Sequence, residues 1–181
     1  MDKNMREKLK EEKKNESNKI REVMIEKVIL SCGGVKENLE KSMKLLKKIS
    51  KRTPVKRKTV RRIPNFEIRP KMEVGCMVTI RGKEAINLLE RLLAAIDKKL
   101  KRKQIAENHF SFGIEEYIEI PGEEYDREIG MLGLNVTVVF SRKGKRVKMR
   151  QRKCNKIPIK QNVSREEIIK FVEEKFKVEV N

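Results

Sequence analysis

The sequence predicts an α+β fold: an open, mostly antiparallel sheet of about five strands with helices packed on one face, plus basic N- and C-terminal extensions. Between residues 72 and 81, an apolar side chain occupies every second position from Met72 to Ile80, which is the period of a strand with one buried face. Between residues 85 and 100, apolar side chains recur at helical spacing as a wide stripe, which is typical of a helix packed broadly on a sheet. We divide the chain into a charged extension at 1–19, an α+β core at 20–140, and a basic segment with a C-terminal helix at 141–181.

The first half of the chain begins with residues 1–19, which mix both charges without an apolar period and predict a frayed or disordered extension. The apolar run VMIEKVIL at 23–30 predicts the first strand, which ends in a turn at Cys32-Gly33-Gly34. Leu39, Met43 and Leu46 then recur at helical spacing between lysines and predict an amphipathic helix. Residues 53–63 are β-prone but basic, and breaks at Pro64 and Pro70 predict a long hairpin tip before the alternating strand.

The second half supplies further strands and a last helix. Phe110, Phe112 and Ile114 alternate, as do the apolar residues of 134–140, and these two strands are joined by a long loop that contains Pro121-Gly122. Ser164 followed by Glu167 forms a predicted capping box, in which both side chains satisfy exposed amides at a helix start. The hairpin-like pairs argue against a purely parallel sheet, and helices on one face leave the other face free.

The charge is strongly unbalanced: 46 Lys and Arg against 27 Asp and Glu give a formal net charge of +19. Residues 47–71 hold eleven cations and one acid, and residues 141–160 hold ten cations and no acid. Solubilising surfaces mix both signs, so these stretches predict binding to a polyanion through its phosphates. Aromatic residues are only 4% of the chain, which favours folded RNA read through its backbone and shape over stacking on single strands. The predicted phosphate-binding residues are Arg52, Lys56, Arg57, Lys58, Arg61, Arg62, Arg142, Lys143, Lys145, Arg146, Arg150, Arg152 and Lys153.

An acidic stretch at 114–128 has the opposite character, with seven acids and only Arg127 as a cation. Two interpretations stay open: a solvated loop, or a docking site for a basic protein. The candidate docking residues are Glu115, Glu116, Glu119, Glu123, Glu124 and Asp126.

Other chemistry is not indicated. Cys32, Cys76 and Cys154 are far apart, and His109 is the only histidine, so the ligand spacing of a zinc site is absent and we expect no metal and no cofactor. The sequence has no phosphate-binding glycine loop, nucleophile elbow or H-E-x-x-H motif, so we expect no enzyme. It has no long apolar run and no secretory signal, so we expect a cytosolic protein without a membrane partner.

Three segments carry a resemblance to a known family. RTPVKRKTVRRIPNFEIRP, followed by VGCMVTIRG and a leucine-rich helix, is similar to the central signature of the universal large-subunit ribosomal protein five family, called protein eleven in eukaryotes. Residues 112–140 resemble the family's F-G-I … Y-D … G-L-D block, and the C-terminal RQRKCNKIPIKQNVSREEIIKFVEEKF is similar to the archaeal and eukaryotic branch. The first two segments together cover roughly residues 20–140, and the C-terminal segment favours that branch.

The resemblance implies a structural constituent of the large ribosomal subunit that binds 5S rRNA and large-subunit rRNA in the central protuberance, next to another 5S rRNA-binding ribosomal protein. It implies that the loop near Asn65, Phe66, Arg69 and Lys71 faces P-site tRNA, and that the acidic stretch meets a basic small-subunit head protein at an intersubunit bridge. The location would be the cytoplasmic ribosome, with a nucleolar assembly stage if the host is eukaryotic.

Two departures from the family pattern affect the expected RNA contacts. Ser31 stands where the family carries an Asn that contacts 5S rRNA, and the family's T-G-Q-x-P turn is shortened to Lys51-Arg52-Thr53-Pro54. Arginine at 52 would exchange a specific contact for phosphate binding. The alternative interpretation of the whole chain is a general basic nucleic-acid-binding or chaperone protein.

Overall fold

The computed structural model describes residues 20–181, so the predicted extension at 1–19 lies outside the described residues. The strands and helices are, in chain order, β1 (Val23–Gly33), α1 (Glu37–Ser50), β2 (Val55–Lys58), β3 (Glu73–Ile80), α2 (Lys83–Ala94), β4 (Lys99–Leu100), β5 (Ile105–Ala106), β6 (His109–Ile114), β7 (Leu134–Arg142), α3 (Arg146–Met149), α4 (Arg165–Phe176) and β8 (Glu179–Val180).

The main sheet has six strands in the order β2-β3-β1-β7-β6-β5, and every neighbouring pair is antiparallel. The predicted α+β class and the mostly antiparallel sheet are therefore confirmed. The sixth strand is the two-residue β5, which is too short to leave an alternation signal in the sequence. A separate parallel pair joins β4 to β8.

One face of the sheet carries the core. Leu30 of β1 lies opposite Val78 of β3 and Val136 of β7, and all three side chains are buried. The same cluster includes the buried faces of α1, α2 and α4. Phe171 of α4 packs edge-on against Phe140 of β7, with 5.5 Å between ring centroids. The helices thus cover one face, as the alternation predicted.

Two element boundaries differ from the sequence interpretation. β1 continues through Cys32 to Gly33, because Cys32 pairs directly with Cys76 of β3. The stripe at 85–100 is not one helix: α2 ends at Ala94, and Asp97 and Lys98 adopt positive φ angles of 53° and 55°. Leu100 is nevertheless buried, because it enters the core from β4.

The last helix begins at the predicted capping box. The Ser164 hydroxyl accepts a hydrogen bond from the Glu167 amide, and the Glu167 carboxylate accepts one from the Ser164 amide at 3.0 Å. These contacts satisfy two amides that the first turn of a helix leaves without partners. The cap fixes the start of α4 directly after the basic segment.

Candidate nucleic-acid interface

The first cationic stretch, 47–71, includes an edge of the sheet. All four residues of β2 are exposed, because β2 pairs only with β3. The Lys56 ammonium lies 2.8 Å from a Glu73 carboxylate oxygen, and this contact raises the pKa of Lys56 and lowers that of Glu73. Arg57 and Lys58 have no carboxylate partner among residues 20–181, so both remain available to phosphates.

The hairpin tip, residues 59–72, projects beyond the sheet. Thr59 ties its base together: its amide donates to the Met72 carbonyl at 2.9 Å, and its hydroxyl donates to the Arg69 carbonyl at 2.8 Å. The top is a short 3-10 turn at Pro64–Phe66. Phe66 is 73% exposed. The other residues of the tip that the sequence indicated as RNA contacts are exposed as well: Arg61, Arg62, Asn65, Arg69 and Lys71.

The second cationic stretch, 141–160, divides into paired and unpaired residues. One guanidinium nitrogen of Arg142 donates to both Glu167 carboxylate oxygens at 2.6 Å, and its side chain is only 9% exposed. Burial acts to raise the pKa of Glu167, but the hydrogen bonds from Arg142 and the Ser164 amide hold it below its usual value. Lys143 pairs with Glu22 at 3.1 Å, and Lys145 pairs with Glu26.

The remaining cations of this stretch are exposed and lack acidic partners within the described part of the chain. This set includes the predicted RNA-binding residues Arg146, Arg150, Arg152 and Lys153. The Arg150 guanidinium donates to the Lys153 carbonyl at 2.8 Å, which holds the loop after α3 in a compact turn. The first three cations of the stretch, Arg142, Lys143 and Lys145, therefore already face carboxylates, and Arg142 is also the most buried of the three.

The structure separates the two stretches, which the sequence alone does not reveal. The tip begins where β2 and β3 pass the Gly33 end of β1, whereas Arg142 lies opposite Val23 at the other end. β1 has eleven residues, so at about 3.3 Å per residue the two cationic regions lie roughly 30 Å apart. A nucleic acid that contacts both must span the length of the sheet.

The sheet face opposite the helices connects the two regions. The side chains named here are uncharged: Ser31 lies between Met77 and Asn135, and Ile29 lies between Thr79 and Thr137. At the Gly33 end this face forms a shallow notch of about 330 Å³. A side chain at Gly33 would meet nothing within 4 Å, so a ligand can approach the backbone closely there.

Asn135 is a candidate contact that the sequence interpretation missed. Its exposed carboxamide stands directly across from Ser31 and lines the same notch. The alternation of residues 134–140 was the signal that could have found it, because a period of two places Asn135 on the face away from the helices.

The acidic stretch is partly engaged within the fold. Glu123 pairs with Arg91 at 2.9 Å and its side chain is only 8% exposed. The Tyr117 hydroxyl accepts a hydrogen bond from the Asp126 amide at 2.7 Å, which folds the loop back on itself. Of the predicted docking residues, Glu115, Glu119 and Glu124 are exposed, whereas Glu116, Glu123 and Asp126 are half-buried.

The described residues contain no group of three His, Cys, Asp or Glu side chains that could hold a metal ion. Cys32 and Cys76 face each other in the core, and their hydrogen bond together with burial raises the pKa of the Cys32 thiol. No helix between residues 20 and 181 is both long and apolar enough to cross a membrane.

Comparisons with known proteins agree on one family. The family model for the C-terminus of large-subunit ribosomal protein five, or uL5, matches residues 73–174. A large ribosomal subunit protein uL5 from Nanoarchaeum equitans is 40% identical over 164 residues, which are 89% of this chain and 97% of that protein. The uL5 protein of Methanobrevibacter smithii is 37% identical over 89% of this chain and 96% of its own length. That of Archaeoglobus fulgidus is 36% identical over 90% of this chain and 93% of its own length.

Proposed function

Because this chain belongs to the uL5 family of large ribosomal subunit proteins, and is thus a structural rather than catalytic ribosomal component, we propose that it binds 5S rRNA and large-subunit rRNA in the central protuberance. The observation that carries the proposal is a pair of exposed cationic regions near opposite ends of β1, namely residues 57–71 and the segment after β7, whose cations largely lack acidic partners among residues 20–181.

The proposed interface combines phosphate contacts with one site of close approach. Arg57, Lys58, Arg61 and Arg62 hold phosphates at one end, and Arg146, Arg150, Arg152 and Lys153 hold them at the other. Ser31, next to the notch, is placed to donate a hydrogen bond from its hydroxyl to a ribose or a base. Four more cations are paired with carboxylates and join the interface only by exchanging the carboxylate for a phosphate: Arg52, Lys56, Lys143 and Lys145. Arg142 acts mainly by holding α4 against β7.

The hairpin tip is the part that we assign to P-site tRNA. It extends beyond the sheet and presents the exposed Phe66 ring together with Arg69 and Lys71, with Asn65 beside them. Such a combination suits a curved RNA backbone: the cations bind phosphates and the ring packs on a ribose or base. The hydrogen bonds at Thr59 support the tip so that it keeps its direction.

The acidic stretch is assigned to protein partners. Its exposed members Glu115, Glu119 and Glu124 present negative charge on a chain of net charge +19, so RNA is repelled there and a basic protein of the small-subunit head is attracted. A neighbouring 5S rRNA-binding ribosomal protein is the second expected protein partner. In this assignment residues 20–140 are the RNA-binding core and 141–181 the basic C-terminal unit, acting at the cytoplasmic ribosome. A nucleolar assembly stage applies only in a eukaryotic host.

Competition binding at physiological salt tests the proposal. The full chain should bind 5S rRNA about a thousandfold more tightly than tRNA or a scrambled RNA of equal length. A general nucleic-acid chaperone would instead bind all three, and duplex DNA, with similar affinity, and that result would refute the assignment to 5S rRNA. Sedimentation of a cell lysate through sucrose provides an independent check, because the chain should travel with the large subunit.

A further inference from the structure

A cavity of about 230 Å³ lies at the end of β7, between this strand and the basic segment that follows it. It is lined by residues 139–142, by Asn108, by Lys145 and Lys148 at α3, and by Ile157, Gln161 and Asn162 of the following turn. Its volume is several times that of a water molecule in the liquid, so it can hold an organic group. The site is distinct from the notch beside Ser31, which lies at the other end of β1.

The polar lining consists of three carboxamides, three cationic side chains and one serine. The Asn108 carbonyl oxygen accepts from the Val163 amide at 2.8 Å, which fixes the side chain, and the Gln161 amide group donates to the Lys143 carbonyl at 3.2 Å. Among residues 20–181, no partner is found for the Asn108 amide nitrogen or the Gln161 carbonyl oxygen, whose residues are half-buried. The Asn162 carboxamide is likewise unpaired within that range, and this residue is exposed. These groups offer both donors and acceptors, which is the combination that reads the edge of a nucleobase.

The cavity also has the apolar and cationic parts that a nucleotide requires. Val139 and Ile157, both half-buried, contribute apolar surface against which a flat ring can pack, whereas the Phe140 ring is buried in the core. Lys148 is exposed at its rim and has no carboxylate partner in the described chain, whereas Lys145 is paired with Glu26. One ammonium group beside a set of unpartnered carboxamides matches one phosphate beside one base.

We propose that this cavity binds a single unstacked nucleotide of the RNA, with the base among Asn108, Gln161 and Asn162 and a phosphate on Lys148. This inference rests on the proposed RNA-binding function and deepens it: the basic C-terminal segment contributes base readout in addition to phosphate contacts. It assigns α3 a role, since this short helix places Lys148 at the rim.

The first test uses mononucleotides, so its result does not depend on 5S rRNA binding. AMP, GMP, CMP and UMP are titrated into the full chain, with ribose 5-phosphate as the probe that lacks a base, and the side-chain amide resonances of asparagine and glutamine are followed by NMR. At least one nucleotide should bind about tenfold more tightly than ribose 5-phosphate and shift the resonances of Asn108, Gln161 and Asn162. Equal binding of all probes would overturn the proposal.

The second test locates the site on the RNA. In the complex with 5S rRNA or a large-subunit rRNA fragment, chemical probing should find one unpaired nucleotide that loses protection in Asn162→Leu, while protection elsewhere is retained. Lys160→Ala is the matched control, because Lys160 belongs to the same basic segment but does not line the cavity. Mononucleotide binding with an unchanged protection pattern in Asn162→Leu would overturn the RNA assignment and point to a free nucleotide as the ligand.

Discussion

Removing the unpaired cations around the hairpin should reduce the salt dependence of RNA binding. The change is the quadruple variant Arg57→Ala, Lys58→Ala, Arg61→Ala and Arg62→Ala, whose four side chains are exposed and have no carboxylate partner among residues 20–181. Each cation that meets a phosphate contributes about 0.7 to 0.9 to the slope of log affinity against log salt, so four contribute about 3. Doubling the salt should therefore weaken the wild type about eightfold more than the variant.

The measurement is filter binding of 5S rRNA over a series of potassium chloride concentrations. The matched control replaces Lys98, Lys99, Arg102 and Lys103, four exposed cations near the β4–β8 pair, and should leave the slope unchanged. Both variants should keep the wild-type melting temperature within a few degrees, because exposed substitutions away from packing cost about 0.5 kcal/mol or less. Equal slopes for the wild type and the hairpin variant would show that these four cations do not contact phosphates.

Three further predictions concern the scaffold and use denaturant unfolding. Arg142→Ala should lower the free energy of unfolding by about 1 to 2 kcal/mol, because Glu167 loses its charged partner but is 42% exposed and keeps the hydrogen bond from the Ser164 amide; a loss under about 0.5 kcal/mol would contradict a stabilising role. Glu167→Gln should have a lower free energy of unfolding than the wild type at neutral pH, and this difference should narrow as pH falls from about 5 to 3. The reason is that the Glu167 carboxyl, whose pKa is lowered in the fold, contributes stability only while it is ionised; a difference that stays constant with pH would argue against the ion pair. Gly133→Ala should cost about 2 kcal/mol because its Cβ would lie 2.6 Å from the Glu115 carbonyl oxygen, whereas Gly33→Ala, with no atom within 4 Å, should cost clearly less.

Much of the fold could be predicted because its signals are local. Alternation at 72–81, the stripe that begins at residue 85 and the capping box at Ser164 each involve neighbours within a few residues, and each corresponds to an observed element. The sequence interpretation was wrong where contacts between residues far apart in the chain determine the secondary structure. Leu100 fits a helical stripe, but its pairing with Val180 places it in a strand instead. The length of β1 likewise depended on the pairing of Cys32 with Cys76.

The candidate site, too, was predictable only in its local features. Charge runs identified the cations, because exposed lysines and arginines need no partner to be recognised in a sequence. Which of these cations are neutralised was not predictable: Arg142 meets Glu167, 25 residues later, only because β7 and α4 pack together. Asn135 acquires its neighbour Ser31 in the same way, from a strand about a hundred residues earlier.

The sequence by itself determined the α+β class, the order of most elements and the two acid-poor stretches, since hydrophobic period and net charge are properties of short segments. Only tertiary contacts place the cationic hairpin and the segment after β7 near opposite ends of β1, leave some cations unpaired, and form a cavity lined by carboxamides and cations beside β7. The physical reason is that strand register and side-chain pairing join residues far apart in the chain, and no local pattern encodes those distances.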